Sequence, residues 1–217
     1  MSSVRRTALI LFLTSISSFA AAADEPKAPQ AAQSVPAQPA LRDEILRRKE
    51  VDQKARLAMI EAMNKPGAAG KPPMFDRKLL DELTAVDEAN TKWMKEVIEK
   101  HGWPGKSLVG DDGASAAWLM VQHADRDRAF QKKCLALMEA MPVGEVRGEN
   151  IAYLQDRVLV GEGKKQKYGT QTTEVDGAFR PSPIEDEEHV DERRKALGML
   201  PLAEYLKQVE AMYRPKK

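Results

Sequence analysis

The chain has 217 residues, 34 Lys+Arg against 33 Asp+Glu, and one cysteine. That length suits one domain with a sizeable core. The near-neutral charge gives no reason to expect nucleic acid or an acidic membrane as partner, and the lone Cys134 excludes an internal disulfide framework.

Met1 to Arg6 is short and basic, Ala8 to Phe19 is mostly apolar, and Ala20 to Ala23 are small. This order reads as a secretory signal peptide over residues 1–23, since the apolar run is too short to span a bilayer. Its removal takes away Arg5 and Arg6 and no acid, which turns the formal charge from +1 to −1. The expected mature protein is exported, periplasmic or secreted, and has no membrane span. Residues 24–40, "DEPKAPQAAQSVPAQPA", hold almost no large apolar residue and are expected to form a disordered linker.

The domain is expected over residues 41–213. Leu41, Ile45, Ala55, Met59 and Met63 recur near helical spacing and predict a helix over 41–64, which "KPGAAGKPP" breaks. Leu79, Leu80, Leu83, Val86, Trp93, Val97 and Ile98 predict a second helix over 76–100, with Asp76 as N-cap. Further helices are expected over 112–124, 127–141 and 150–162. "QKYGTQTTEVDGAFRP" has β-branched and aromatic residues on both sides of Asp176-Gly177 and predicts a hairpin. Helices return over 188–197 and 202–212. The fold class is therefore mainly α: one helical domain with one small β-hairpin.

"HGWPGKSLVG" ends in Gly105-Lys106-Ser107, the tail of a phosphate-binding loop, but Lys100 stands where that loop needs its first glycine, and a helix precedes it instead of a strand. The stretch is better read as a helix stop followed by turns. No Gly-x-Ser-x-Gly occurs in it either. His101, His123 and His189 form no His-Glu-x-x-His pattern, so no metal site is assigned, although His123, Asp125 and Asp127 are close in sequence. Phe130, Cys134, Leu137 and Met141 share a helical face, which makes Cys134 a core residue.

Three polar stretches remain. In "WLMVQHADRD", Gln122 and Asp125 share a helical face, and Asp125 would reach His123 if the helix ends near Ala124. A carboxylate there would raise the imidazole pKa. In "YLQDRV", Tyr153 and Arg157 are one turn apart. In "QKYGTQ", strand alternation would put Gln166, Tyr168 and Thr170 on one side, with Gly169 allowing close approach. The candidate catalytic set is His123 as general acid/base, with Asp125 or Asp156 to orient it. The candidate ligand-binding set is Gln122, Arg157, Gln166, Tyr168, Thr170 and Gln171, with Arg157 to neutralise substrate charge. A small polar or anionic ligand is the expected partner; the cofactor stays open. Two rival readings use the same residues: a histidine-dependent acid/base enzyme, hydrolase-like, or a buried polar network in an interaction domain of the cell envelope.

These stretches, in this order, resemble an uncharacterised bacterial domain-of-unknown-function family. The likeness spans Leu41 to Tyr205 and rests on Asp52-Gln53, Arg56, Asn90-Thr91, "HGWPGKSLVG", "AAWLMVQHAD", "FQKKCL", "AYLQDRV", Gln166 with Tyr168 to Gln171, and "VDERR" at 190–194. Arg128 stands where family members often carry proline. The resemblance implies that the shared polar residues act as a unit, and it supplies no activity, substrate or cofactor.

Overall fold

The computed structural model describes residues 35–64, 77–175 and 178–213. The expected signal peptide, most of the linker, the loop at 65–73, the Asp76 cap and the Asp176-Gly177 turn lie outside the described residues. The described chain forms seven α-helices and a two-stranded antiparallel sheet: α1 (Pro39–Asn64), α2 (Arg77–His101), α3 (Lys106–Gln122), α4 (Arg128–Glu139), α5 (Gly148–Gly161), β1 (Thr172–Val175), β2 (Ala178–Pro181), α6 (Val190–Ala196) and α7 (Leu202–Tyr213). The mainly α expectation and its single hairpin hold; Thr172 pairs with Pro181 and Val175 with Ala178. No helix of the described residues is long and apolar enough to cross a membrane.

α3 is the central helix. Ala116 to Val121 are all buried, and they meet Ile45 of α1, Met94 and Ile98 of α2, Phe130, Cys134 and Met138 of α4, and Leu154 and Val158 of α5. A helix buried on every side needs small and apolar residues all round, which the "AAWLMV" run supplies. Cys134 is fully buried, and burial pushes its thiol up to about 12, so it packs as an apolar residue.

The start of α3 departs furthest from the sequence expectation. α3 begins six residues before Asp112 and kinks at Gly110, whose φ is 75°. Its first turn is anchored from outside: Glu145 accepts hydrogen bonds from Ser107 N and Ser107 Oγ, both at 2.9 Å. The end of the expected linker is also docked. α1 starts at Pro39, and the N–H groups of Ala37 and Gln38 donate to the carbonyls of Ser107 and Leu108 at 3.1 and 2.9 Å.

Between α1 and α2 the core is layered. α1 turns Ile45 inward, then Asp52 and Arg56, then Met59; α2 turns Leu83 inward, then Asp87 and Asn90, then Met94. Met59 and Leu83 make a small apolar cluster, and Ile45 and Met94 belong to the main one. A polar layer therefore lies between two apolar layers. Leaving an ion unpaired at such depth costs several kcal/mol, so the pairing inside the layer decides whether the fold tolerates it.

Candidate functional site

α3 ends where its last carbonyls find an outside donor. Gln131 Nε2 of α4 donates to the carbonyls of Val121 and Gln122, both at 3.1 Å. Asp127 caps α4 by accepting from Phe130 N at 3.0 Å. Across the tight turn between these caps His123 and Asp125 meet different partners, and two polar regions result.

The first lies between α1, α2 and the end of α3. His123 is buried, and its Nδ1 lies 2.9 Å from Asp52 Oδ1 and 3.0 Å from Arg56 Nε. Asp52 also accepts from Gln53 Nε2 at 2.8 Å, and Arg56 reaches across to the Asp87 carboxylate. Burial, followed by Arg56, pushes the His123 pKa below its ordinary value. The expected upward shift fails because desolvation of the imidazolium outweighs the Asp52 carboxylate. Burial alone would raise Asp52, but His123 and Arg56 outweigh it and hold the carboxyl below the usual range. With His123 neutral, Arg56 is the lasting positive charge beside Asp52. Asp87 goes the other way: burial raises it to about 7, Arg56 opposes that rise, and the Asp52 and Asp125 carboxylates add to it.

Ligand atoms of Asp52, Asp87 and His123 lie within 4.8 Å of one another, a spacing that could hold a metal ion. The Arg56 guanidinium, however, donates to all three residues. A divalent ion would have to displace a fixed cation from the same space.

The second region lies between α3, α4, α5 and the chain that leads into β1. Asp125 faces Arg157, which reaches both its carboxylate oxygens, with Nε to Oδ1 at 2.7 Å. Burial would raise the Asp125 carboxyl, but Arg157 overrides it and the net shift is downward. Arg128 joins at 3.8 Å from Asp125 and donates to the Arg157 carbonyl. Arg157 Nη1 continues to Gln171 Oε1 at 3.4 Å.

Residues 166–171 are not a strand. They wrap around Asp156, which is fully buried and accepts from the backbone N–H groups of Lys167, Tyr168 and Thr170 and from Thr170 Oγ1, between 2.7 and 3.1 Å. The carbonyls of the same segment are also bound: Lys167 O by Arg193, Tyr168 O by Arg194 and Thr170 O by the Tyr205 hydroxyl. Gln166 closes the segment on itself, accepting from Gln171 N and donating to Gln171 O and Ser182 O. Gly169 has φ 71°, and a Cβ there would lie 2.7 Å from Leu202 Cδ1 and 3.0 Å from Ile184 Cδ1. The close approach expected of this glycine is to the chain's own α7 and the segment before α6. The strand alternation fails because Asp156 supplies, within the tertiary fold, the acceptors that a neighbouring strand would have supplied.

The structure thus divides the expected site. His123 turns to Asp52 and Arg56, Asp125 turns to Arg157, Asp156 and Gln166 bind backbone, and the Thr170 and Gln171 side chains link Asp156 to Arg157, Thr170 donating to Asp156 and Gln171 donating to Thr170 and accepting from Arg157. Gln122 is buried, and neither atom of its amide has a hydrogen-bond partner among the described residues. Tyr168 is half-buried, with its N–H on Asp156. Asp52, Arg56 and Asp87 were not among the candidates, although the sequence carries a signal for them: a carboxylate and an arginine where the inward stripe of α1 should continue from Ile45 to Met59, and an aspartate and an asparagine between Leu83 and Met94 on α2.

No curated protein and no solved structure matches the chain. One family does, and it includes every residue of both polar regions: the chain belongs to the family described as "Family of unknown function (DUF6624)", whose model matches residues 39–217.

Proposed function

We propose that this domain binds a small anionic ligand where α1, α2 and the end of α3 meet, with Arg56 and Arg157 taking its charge and His123 exchanging a proton with it. The observation that carries this reading is the arrangement of charges by depth. The Arg56 and Arg157 side chains are 4% and 8% exposed, whereas the carboxylates capping them, Asp87 and Asp125, are 23% and 46% exposed. Asp52 stays buried beside Arg56, but each cation also has an outer carboxylate nearer the surface, in the position a ligand carboxylate or phosphate would take. The two pairs are near enough for Asp125 to act on Asp87, and for Arg157 to act on His123. Asp87 near a pKa of about 7 can give up its hold on Arg56 by taking a proton.

His123 Nδ1 has an acceptor and a donor in reach. With a proton on Nδ1 it donates to Asp52; with the proton on the other ring nitrogen, Nδ1 accepts from Arg56. Both neutral tautomers have a buried partner, which supports acid–base exchange without rearrangement. The hairpin-side residues Asp156, Gln166, Thr170 and Gln171 act in this reading as the frame behind Arg157.

Calorimetric titration of the full chain with acetate, succinate and phosphate tests the proposal. Saturable binding to at least one anion is expected, tighter in Asp87→Asn, which weakens the native cap on Arg56. Absence of binding in both wild type and Asp87→Asn would overturn it. Export is a separate proposal that rests on the N-terminal sequence; the mature protein from cells should begin near Asp24, and an intact Met1 on soluble protein inside the cytoplasm would refute it.

A further inference from the structure

α3 and α5 lie side by side and run in the same direction. Asp111 of α3 pairs with Arg147 just before α5, Trp118 meets Tyr153 with ring centroids 5.9 Å apart, and Asp125 just after α3 pairs with Arg157. Gln122 is the last residue of α3, four residues after Trp118 and three before Asp125. Residues at those spacings share a helical face. Because both neighbours on that face reach α5, the Gln122 side chain is directed into the α3–α5 seam, between the Tyr153 ring and the Arg157 guanidinium. Gln131 binds the main-chain carbonyl of Gln122 and leaves its amide alone.

Gln122 is 1% exposed, and neither its Nε2 donor nor its Oε1 acceptor has a hydrogen-bond partner among the described residues. Asn90, Trp103 and Trp118 each leave one donor in that condition, whereas Gln122 leaves a donor and an acceptor together. An unpaired buried amide destabilises a fold. Methionine would fill nearly the same space without that cost, so a glutamine directed into this seam points to a partner from outside the chain. The surroundings select its chemistry. Arg157 opposes an ammonium group, and the Oε1 acceptor opposes a carboxylate. A hydroxyl satisfies the amide fully, since it accepts from Nε2 and donates to Oε1. The Asp125 carboxylate, 46% exposed, covers Arg157 from the solvent side. A ligand carboxylate in that position would have Gln122 one helical turn further in.

We infer that Gln122 is a specificity-determining residue of the anion site and that the ligand is a hydroxycarboxylate, its carboxylate on Arg157 and its hydroxyl on the Gln122 amide. The inference rests on the anion-binding reading above and names the class of its ligand.

Calorimetric titration of the full chain with sodium acetate, propionate and glycolate, and with glycine, tests it. Glycolate should bind about three- to tenfold more tightly than acetate, the gain from one hydrogen bond. Propionate adds similar bulk without the hydroxyl, and glycine puts an ammonium in its place; neither should show that gain. In Gln122→Met the ratio of glycolate to acetate affinity should fall to about one. The same variant gives a readout that needs no ligand: loss of two unpaired buried groups should raise the melting temperature of the free chain. An unchanged or lower melting temperature, or a variant that does not fold, would show that the amide is paired within the fold and would overturn the inference. Equal affinity of the wild type for acetate and glycolate, or a preference for glycolate that survives in Gln122→Met, would overturn the inference and leave the anion site standing. Binding of no anion, in these titrations and those above, would remove the anion site and the inference together.

Discussion

The two polar regions beside α3 use the same residue types and are closed in different ways. Around Asp156, a carboxylate meets three backbone N–H groups and a hydroxyl, and the carbonyls of the same segment go to Arg193, Arg194 and Tyr205. Around His123, charged side chains from three helices meet one another, and the outermost carboxylate, Asp87, is partly exposed. Backbone groups must be satisfied in any folded state, so a carboxylate that satisfies them is architecture. Side chains that satisfy only one another can exchange partners with a ligand at far lower cost to the fold. Both regions contain an acid, an arginine and amides, so composition alone did not separate them; the identity of the partners did.

Asp156→Ala should produce the largest effect. It leaves three buried N–H groups and a hydroxyl without their acceptor, and urea melts should show a loss of about 3 kcal/mol or more. A loss under about 1 kcal/mol would remove the distinction between the two regions.

His123→Gln comes next. The new amide can keep a hydrogen bond to Asp52 or to Arg56, so the expected loss is about 1–2 kcal/mol. Anion binding should weaken along with it. A loss as large as that of Asp156→Ala, with anion binding unchanged, would make the His123 region architecture as well.

The pH dependence sharpens the comparison further. Asp87 keeps its proton in the folded chain up to about pH 7, whereas its ordinary value is 3.8. Between those values the folded state holds more protons than the unfolded one, so this group's contribution falls as pH rises from about 4 through about 7, with a limiting slope of about 1.4 kcal/mol per pH unit. Chemical melts of wild type and Asp87→Asn across that window should differ by this slope, the variant being flatter. Parallel curves would mean that Asp87 ionises normally and that Arg56 holds it as a fixed salt bridge.

The smallest effect concerns the chain before α1. Removal of residues 24–34 should leave the melting temperature unchanged, given their composition. Removal through Gln38 also takes the two hydrogen bonds to Ser107 and Leu108 and should cost about 1 kcal/mol. Equal melting temperatures for the two truncations would show that this docking adds nothing.

The sequence by itself determined the helices whose apolar stripes are unbroken, the hairpin around Asp176-Gly177, the burial of Cys134 and the failure of the phosphate-loop reading. Each of these depends on local spacing, φ preference or side-chain volume, which the chain carries residue by residue. Only the tertiary structure decided the rest. The early start of α3 depends on Glu145, 38 residues from Ser107; the loop at 166–171 depends on Asp156, and the partner of His123 is Asp52, 71 residues away. A polar side chain gains its role from the group that satisfies it at depth, and when that group arrives from a distant element no periodicity records the pairing. Asp52 and Arg56 looked like charges between apolar positions because a stripe reports which face is buried, and a buried face can hold a charge once another helix brings the counter-charge.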